Sequence, residues 1–201
     1  MNHISDRELR GILLGVENPL RYVGGEFGEK RKEREPLLTI GLCFPDLYEI
    51  GMSNLAIKIL YNRLNEIEDV ACERVFAPAP DFESALKGSG IPLYTLESGI
   101  PLAELDLLLF SVGYELCFTN IFTVLEMGRI AFHVEERKGK GPVVIAGGPA
   151  ITNPAPYGRI LDGVYIGEAE TEFFDFIQRC VDIAGTVERE NRRELIIDEM
   201  R

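Results

Sequence analysis

The sequence predicts an α/β fold: an open, mostly parallel sheet of about five strands with helices on both faces. Two observations carry the prediction. Short, continuous apolar runs such as LLTIGLCF (37–44) and LDLLLFSVG (105–113) recur along the chain, as expected of strands buried on both faces. Between them, apolar residues return at helical spacing, so strand and helix alternate and successive strands can run parallel.

The elements follow in order. Ser5-Asp6-Arg7-Glu8 has capping-box spacing, and Leu9, Ile12, Leu13 and Val16 then share one helical face. The Gly-rich, polar stretch RYVGGEFGEKRKERE reads as a connector, so residues 1–36 form a helical extension and connector. Residues 37–184 form the main domain. After the strand at 37–44, Ser53 is placed to cap a helix whose stripe is Ala56, Leu60, Leu64 and Ile67. ACERVFAP (71–78) holds a second strand, Pro80 opens a helix running through Leu86, and IPLYTLES is a short extended piece. The strand at 105–113 leads into a helix marked by Cys117, Ile121, Val124 and Leu125 and ended by Gly128. PVVIAGG and DGVYIGEAE give the last two strands, and Phe173, Phe176, Ile177, Cys180 and Val181 line one face of the helix that follows. Residues 185–201 read as a charged, helical or frayed linker.

Composition narrows the function. A net charge of −12 argues against nucleic acid and against an anionic membrane surface, because both need clustered Lys and Arg. The polar N-terminus lacks a signal-peptide core and no apolar run approaches a membrane span, so cytoplasmic is the default expectation. Cys43, Cys72, Cys117 and Cys180 form no CxxC pair and each sits in an apolar stretch, which predicts buried free thiols. With only His3 and His133, a histidine-rich metal site is excluded.

In open parallel sheets, ligands bind beyond the carboxyl ends of the strands. That rule selects four loops: Pro45–Ser53, Ser111–Glu115, Gly147–Pro156 and Gly167–Glu170. Gly51, Gly113, Gly147, Gly148 and Gly167 there can admit a ligand close to backbone or adopt positive φ, and Ser53 and Ser111 offer hydroxyls. No GxGxxG or GxxxxGK[ST] occurs, so the nucleotide fingerprints are missing. Asp46, Glu49, Glu115, Glu168 and Glu170 read more readily as helix caps and dipole partners than as metal ligands. Nucleophilic catalysis finds no Ser or Cys with a histidine base nearby in sequence.

Asp46-Leu47-Tyr48-Glu49-Ile50-Gly51, Ser111-Val112-Gly113 and Gly147-Gly148 fall where flavodoxin-like (Rossmann-like) cobalamin-binding domains carry D-x-H-x-x-G, a serine and a Gly-Gly pair. From about Arg21 to Ala184, stretches such as FPDLYEIGMSNLAIKILY, ERVFAPAPDFE, VIAGGPAITNPAP and IGEAE resemble an uncharacterised family in which a cobalamin-binding domain is fused to a radical SAM domain. The resemblance implies a five-stranded flavodoxin-like domain that binds cobalamin and serves a C-terminal radical SAM domain as its partner. It implies cofactor contacts from Asp46, Tyr48, Gly51, Met52, Ser53, Ser111, Gly113, Tyr114, Gly147, Gly148, Pro149, Gly167 and Glu168. Tyr48 stands where the family motif has its cobalt-ligating histidine; a phenol is neutral at pH 7 and a poor ligand, so the implied state is base-off without histidine ligation. The CxxxCxxC run that holds a [4Fe–4S] cluster and S-adenosylmethionine is not in this sequence. The resemblance therefore implies either the N-terminal domain of a longer protein, with both groups in its radical SAM domain, or a stand-alone relative, and in both cases no radical catalysis by this chain alone. Two other readings stay open. One is an interaction domain that keeps the fold and has lost the cofactor. The other is a flavodoxin-like binder of FMN or a nucleotide.

Overall fold

The computed structural model describes residues 4, 6–169 and 172–200. Its centre is a five-stranded, all-parallel sheet of β1 (Leu38–Phe44), β2 (Val70–Phe76), β3 (Leu107–Ser111), β4 (Val143–Gly147) and β5 (Gly163–Tyr165). The spatial order is β2-β1-β3-β4-β5, a flavodoxin-like arrangement whose topological switch lies between β1 and β3. The α/β expectation holds in full, and no antiparallel strand joins the sheet among the described residues.

The α-helices are α1 (Asp6–Leu13), α2 (Tyr48–Ser53), α3 (Leu55–Glu66), α4 (Pro80–Ser89), α5 (Phe118–Met127), α6 (Glu172–Thr186) and α7 (Arg189–Asp198). The alternation of side chains along a strand sorts the core into two layers. Leu38, Ile40, Leu42 and Phe44 of β1 join Leu107, Leu109, Val143 and Ile145 under α3, α6 and α7. Cys43 of β1 joins Leu108, Phe110, Val144 and Ala146 under α1, α4 and α5. A continuous apolar run was therefore needed: every β1 residue is buried by one layer or the other. All four cysteines are buried free thiols, and burial pushes the thiols of Cys43 and Cys72 well above the usual range.

Several local expectations are corrected. Asn54, not Ser53, caps α3: its side chain accepts from the Ile57 amide at 3.2 Å, while the Ser53 hydroxyl donates to the Glu49 carbonyl at 2.6 Å. The buried stripe of α3 is Ile57, Tyr61 and Leu64, and Ala56 faces outward. The capping box at Ser5–Glu8 rests on Ser5, which lies outside the described residues; α1 itself forms, and Leu13 and Val16 are buried. β4 and β5 are joined by two short 3-10 turns (Pro149–Thr152 and Ala155–Tyr157), since Pro149, Pro154 and Pro156 each remove a backbone donor.

Both flanking segments are tied to the sheet. In the connector, the Lys30 amide donates to the Tyr61 hydroxyl at 2.7 Å, and the Lys32 ammonium donates to the carbonyls of Asn65 and Ile67, each at 2.8 Å. Within 185–201, expected as a charged, helical or frayed linker, Arg189–Asp198 form α7, which buries Ile196 and Arg193. Arg193 meets the Asp162 carboxylate at 2.5 Å, and Arg137 meets the same carboxylate at 3.3 Å. Arg192 and Arg189 reach Asp106 at 3.2 and 3.5 Å. Thus α7 is clamped to the amino-terminal edge of the sheet by two buried carboxylates, opposite the edge where ligands are expected.

Candidate functional site

At the carboxyl edge, on the face covered by α3 and α6, the two helices leave a groove of about 950 Å³. Its floor is Leu42, Leu109 and Ile145 from three adjacent strands. One wall is α3, with Ala56, Ile59, Leu60 and Arg63; the other is Phe173 and Phe174 of α6 with Tyr165 and Ile166. Ser111, Gly147, Gly148, Pro149 and Thr152 close one end, and Gly167 and Glu168 lie on the rim. The volume is in the range of about 300–1,000 Å³ typical of small-molecule sites, and the mainly apolar lining with a few polar groups fits the same class.

Six of the expected contacts therefore share one cavity: Ser111, Gly147, Gly148, Pro149, Gly167 and Glu168. Ser111 and Gly147 are register partners across β3 and β4, which puts the hydroxyl beside the glycine pair. Among the described residues the Ser111 hydroxyl has no hydrogen-bond partner. The paired glycines differ in kind. Gly148 has φ +108° and ψ 174°, and a Cβ there would stand 2.7 Å from the Val112 carbonyl oxygen. Gly147 has ordinary backbone, with its nearest neighbour, the Tyr165 carbonyl, at 3.5 Å from such a Cβ. Two bonds knit this corner, the Val112 amide to the Gly147 carbonyl at 2.8 Å and the Ala150 amide to the Val112 carbonyl at 3.2 Å.

The loop after β1 stands apart from the groove lining. Asp46 accepts hydrogen bonds from the Leu47 amide at 2.7 Å and from the Tyr114 hydroxyl, joining the loops that follow β1 and β3. Tyr48 opens α2, and its ring meets Phe76 edge-on at 5.5 Å. Its hydroxyl donates to Glu26 at 3.1 Å, and Glu26 also pairs with Arg74 at 3.1 Å. Burial, with Glu26 adding to it, pushes the Tyr48 phenol up to about 12. A phenol so held is neutral at physiological pH and already has an acceptor. Gly51 answers a packing demand, since a Cβ there would fall under 3.0 Å from two ring carbons of Phe76. Met52 accepts from Arg74 at 3.2 Å, and Gly113 lies against Phe44.

The carboxylates considered as metal ligands are dispersed: Glu49 pairs with Arg21 at 2.6 Å, and Glu170 lies outside the described residues. No group of three or more His, Cys, Asp or Glu is placed to hold a metal among the described residues. No helix among them is long and apolar enough to cross a membrane. The sequence reading missed Ile59, Arg63 and Phe174. Their signal was present only as a second, outward stripe on α3 and a doubled aromatic at the start of α6.

Compared with protein families, residues 56–200 match the family described as radical SAM proteins, N-terminal. The chain belongs to that family. The match takes in α3, all strands but β1, α6 and α7, so most of the groove comes from the radical SAM N-terminal region, whereas Asp46–Ser53 lies upstream of it. It also reaches past Ala184 through α7, in keeping with the helix's attachment to the sheet. Comparison with curated proteins and with solved structures finds no match.

Proposed function

We propose that this chain is the cobalamin-binding module of a radical SAM protein, holding the cofactor base-off and without histidine ligation. The groove between α3 and α6 carries the reading. It lies at the carboxyl edge beside the topological switch, has an apolar floor for a flat heterocycle, and ends on a serine hydroxyl and a glycine that brings backbone close to whatever lies there. These residues fit the nucleotide tail of a base-off cobalamin. Leu42, Leu109, Ile145 and Phe173 would enclose the base, Ser111 would supply a hydrogen bond, and the Gly148 turn would let the tail pass along backbone. Among the described residues the groove lining contains no histidine, and the Tyr48 hydroxyl is engaged with Glu26, which supports a cofactor held without a ligand from these residues.

When bound, cobalamin supplies a cobalt centre able to carry a methyl group; this chain's residues orient the cofactor and keep water from its tail. The [4Fe–4S] cluster, S-adenosylmethionine and substrate chemistry would belong to a radical SAM domain partnered with this one. Leu55, Ile59 and Ile166 are exposed apolar residues around α3 and the groove rim, and they favour a second reading in which this edge serves only as a docking face.

One experiment separates the two readings. The protein is mixed with hydroxocobalamin, desalted and scanned in the visible range. Retained corrin absorbance of base-off form supports the cofactor reading. A colourless protein with an unchanged melting temperature supports the docking face. Tyr48→Phe removes only the bond to Glu26 and should leave the corrin spectrum unchanged.

A further inference from the structure

Among the described residues, Arg63 is the only lysine or arginine that lines the groove. It sits in the last turn of α3 with its guanidinium centre 5.4 Å from the centroid of the Phe174 ring, so stacking across the groove holds the head group in place. It forms an ion pair with Glu66 at 3.4 Å, and both side chains are more than half exposed, a pairing of small worth in water. The fork of donors is therefore held in position but scarcely used. On a chain of net charge −12, a lone guanidinium held at an apolar groove marks where a negative group of the ligand belongs.

We infer that Arg63 binds the phosphodiester linking the corrin to its nucleotide base. The inference rests on the cofactor reading above and adds to it a residue and a chemical group. The apolar base lies on the floor of Leu42, Leu109 and Ile145, and its phosphodiester turns toward α3, where Arg63 donates to the phosphate oxygens. Ser111 and the Gly148 turn then contact the base end, so the groove has a polar contact at each end and an apolar middle. A planar, two-pronged donor suits a phosphodiester, which offers two equivalent oxygens.

The test uses two corrinoids and two proteins. Wild type and Arg63→Met are titrated with hydroxocobalamin and with cobinamide, which lacks the nucleotide and its phosphodiester, and binding is read from the visible spectrum and by calorimetry. Arg63→Met should weaken cobalamin binding by about tenfold or more and leave cobinamide binding unchanged. Arg63→Lys should recover part of the loss, and raising the salt concentration should narrow the gap between wild type and Arg63→Met. Equal cobalamin affinity in wild type and Arg63→Met overturns the assignment while leaving the cofactor reading intact. So does an equal loss for both corrinoids, which would mean that Arg63 acts through Phe174 and not on the phosphodiester. A wild-type protein that binds neither corrinoid removes the cofactor reading itself, and this inference with it. The side chain is exposed, so a matching melting temperature for Arg63→Met confirms that folding is unaffected.

Discussion

Adding one methyl group to each glycine of the Gly147-Gly148 pair should give two very different proteins. At Gly148, alanine must hold φ +108° and ψ 174°, a region essentially reserved to glycine and costing an L-residue about 1–3 kcal/mol. The new Cβ would also meet three backbone atoms of Val112, the oxygen at 2.7 Å, the nitrogen at 3.1 Å and the carbonyl carbon at 3.2 Å. Backbone cannot rotate aside as a side chain can. Val112 is fixed by its bonds to Gly147 and Ala150, so relief means opening the β3–β4 corner. Overpacking of this sort adds about 1–3 kcal/mol, for a total of about 2–6 kcal/mol. For a chain of this size that is a fall in melting temperature of about 4–24 °C. At Gly147 the backbone is ordinary and the nearest contact is 3.5 Å, so Gly147→Ala should stay within about 1 kcal/mol of wild type. Urea unfolding of the two variants, with m-values compared, reads the difference directly. Equal midpoints would refute the claim that the turn, and with it the close approach of backbone to the groove, depends on Gly148.

The buried carboxylate that clamps α7 gives another expectation. Asp162→Asn leaves the Arg137 and Arg193 guanidiniums buried without a counter-charge and should cost about 3–5 kcal/mol, visible as a lower urea midpoint. An unchanged midpoint would mean that α7 is not held to the sheet in this way. At alkaline pH the sign follows from the tyrosines. Tyr48 is pushed by burial from its ordinary 10 up to about 12, and Tyr61 and Tyr94 move the same way. Between pH 10 and 12 the unfolded chain releases phenol protons that the folded chain keeps. Stability is therefore full below pH 10 and falls as pH rises toward 12. Tyrosinate absorbance should lag in the native protein relative to the denatured one, and Tyr48→Phe should remove part of that lag.

The strands were legible because burial on both faces favours apolar side chains: the run at 38–44 is apolar but for Thr39 and is buried throughout in the structure. The carboxyl-edge rule then located Ser111, Gly147, Gly148 and Gly167 without any knowledge of the groove. What stayed hidden depends on contacts distant in sequence. Ser53 and Asn54 are both good caps, and only the presence of α2 decides between them. That short helix forms because Gly51 leaves space for the Phe76 ring, a residue two elements away. Tyr48 could be noticed as a substituted motif position, but its orientation is set by Glu26, Arg74 and Phe76, which lie 22 or more residues distant. Ala56 and Leu60 fit a helical stripe, yet they line a groove because α6 stands clear of α3 at that end. Spacing along one helix carries no information about how far away its neighbour packs.

The central claim is that the groove between α3 and α6 holds the tail of a base-off cobalamin that receives no nitrogen from this chain. The visible spectrum of the desalted protein after mixing with hydroxocobalamin tests it most directly. The account predicts retained corrin with a base-off spectrum, unchanged in Tyr48→Phe and diminished in Gly148→Ala. A colourless protein, or a retained corrin with a nitrogen-ligated spectrum, would contradict it.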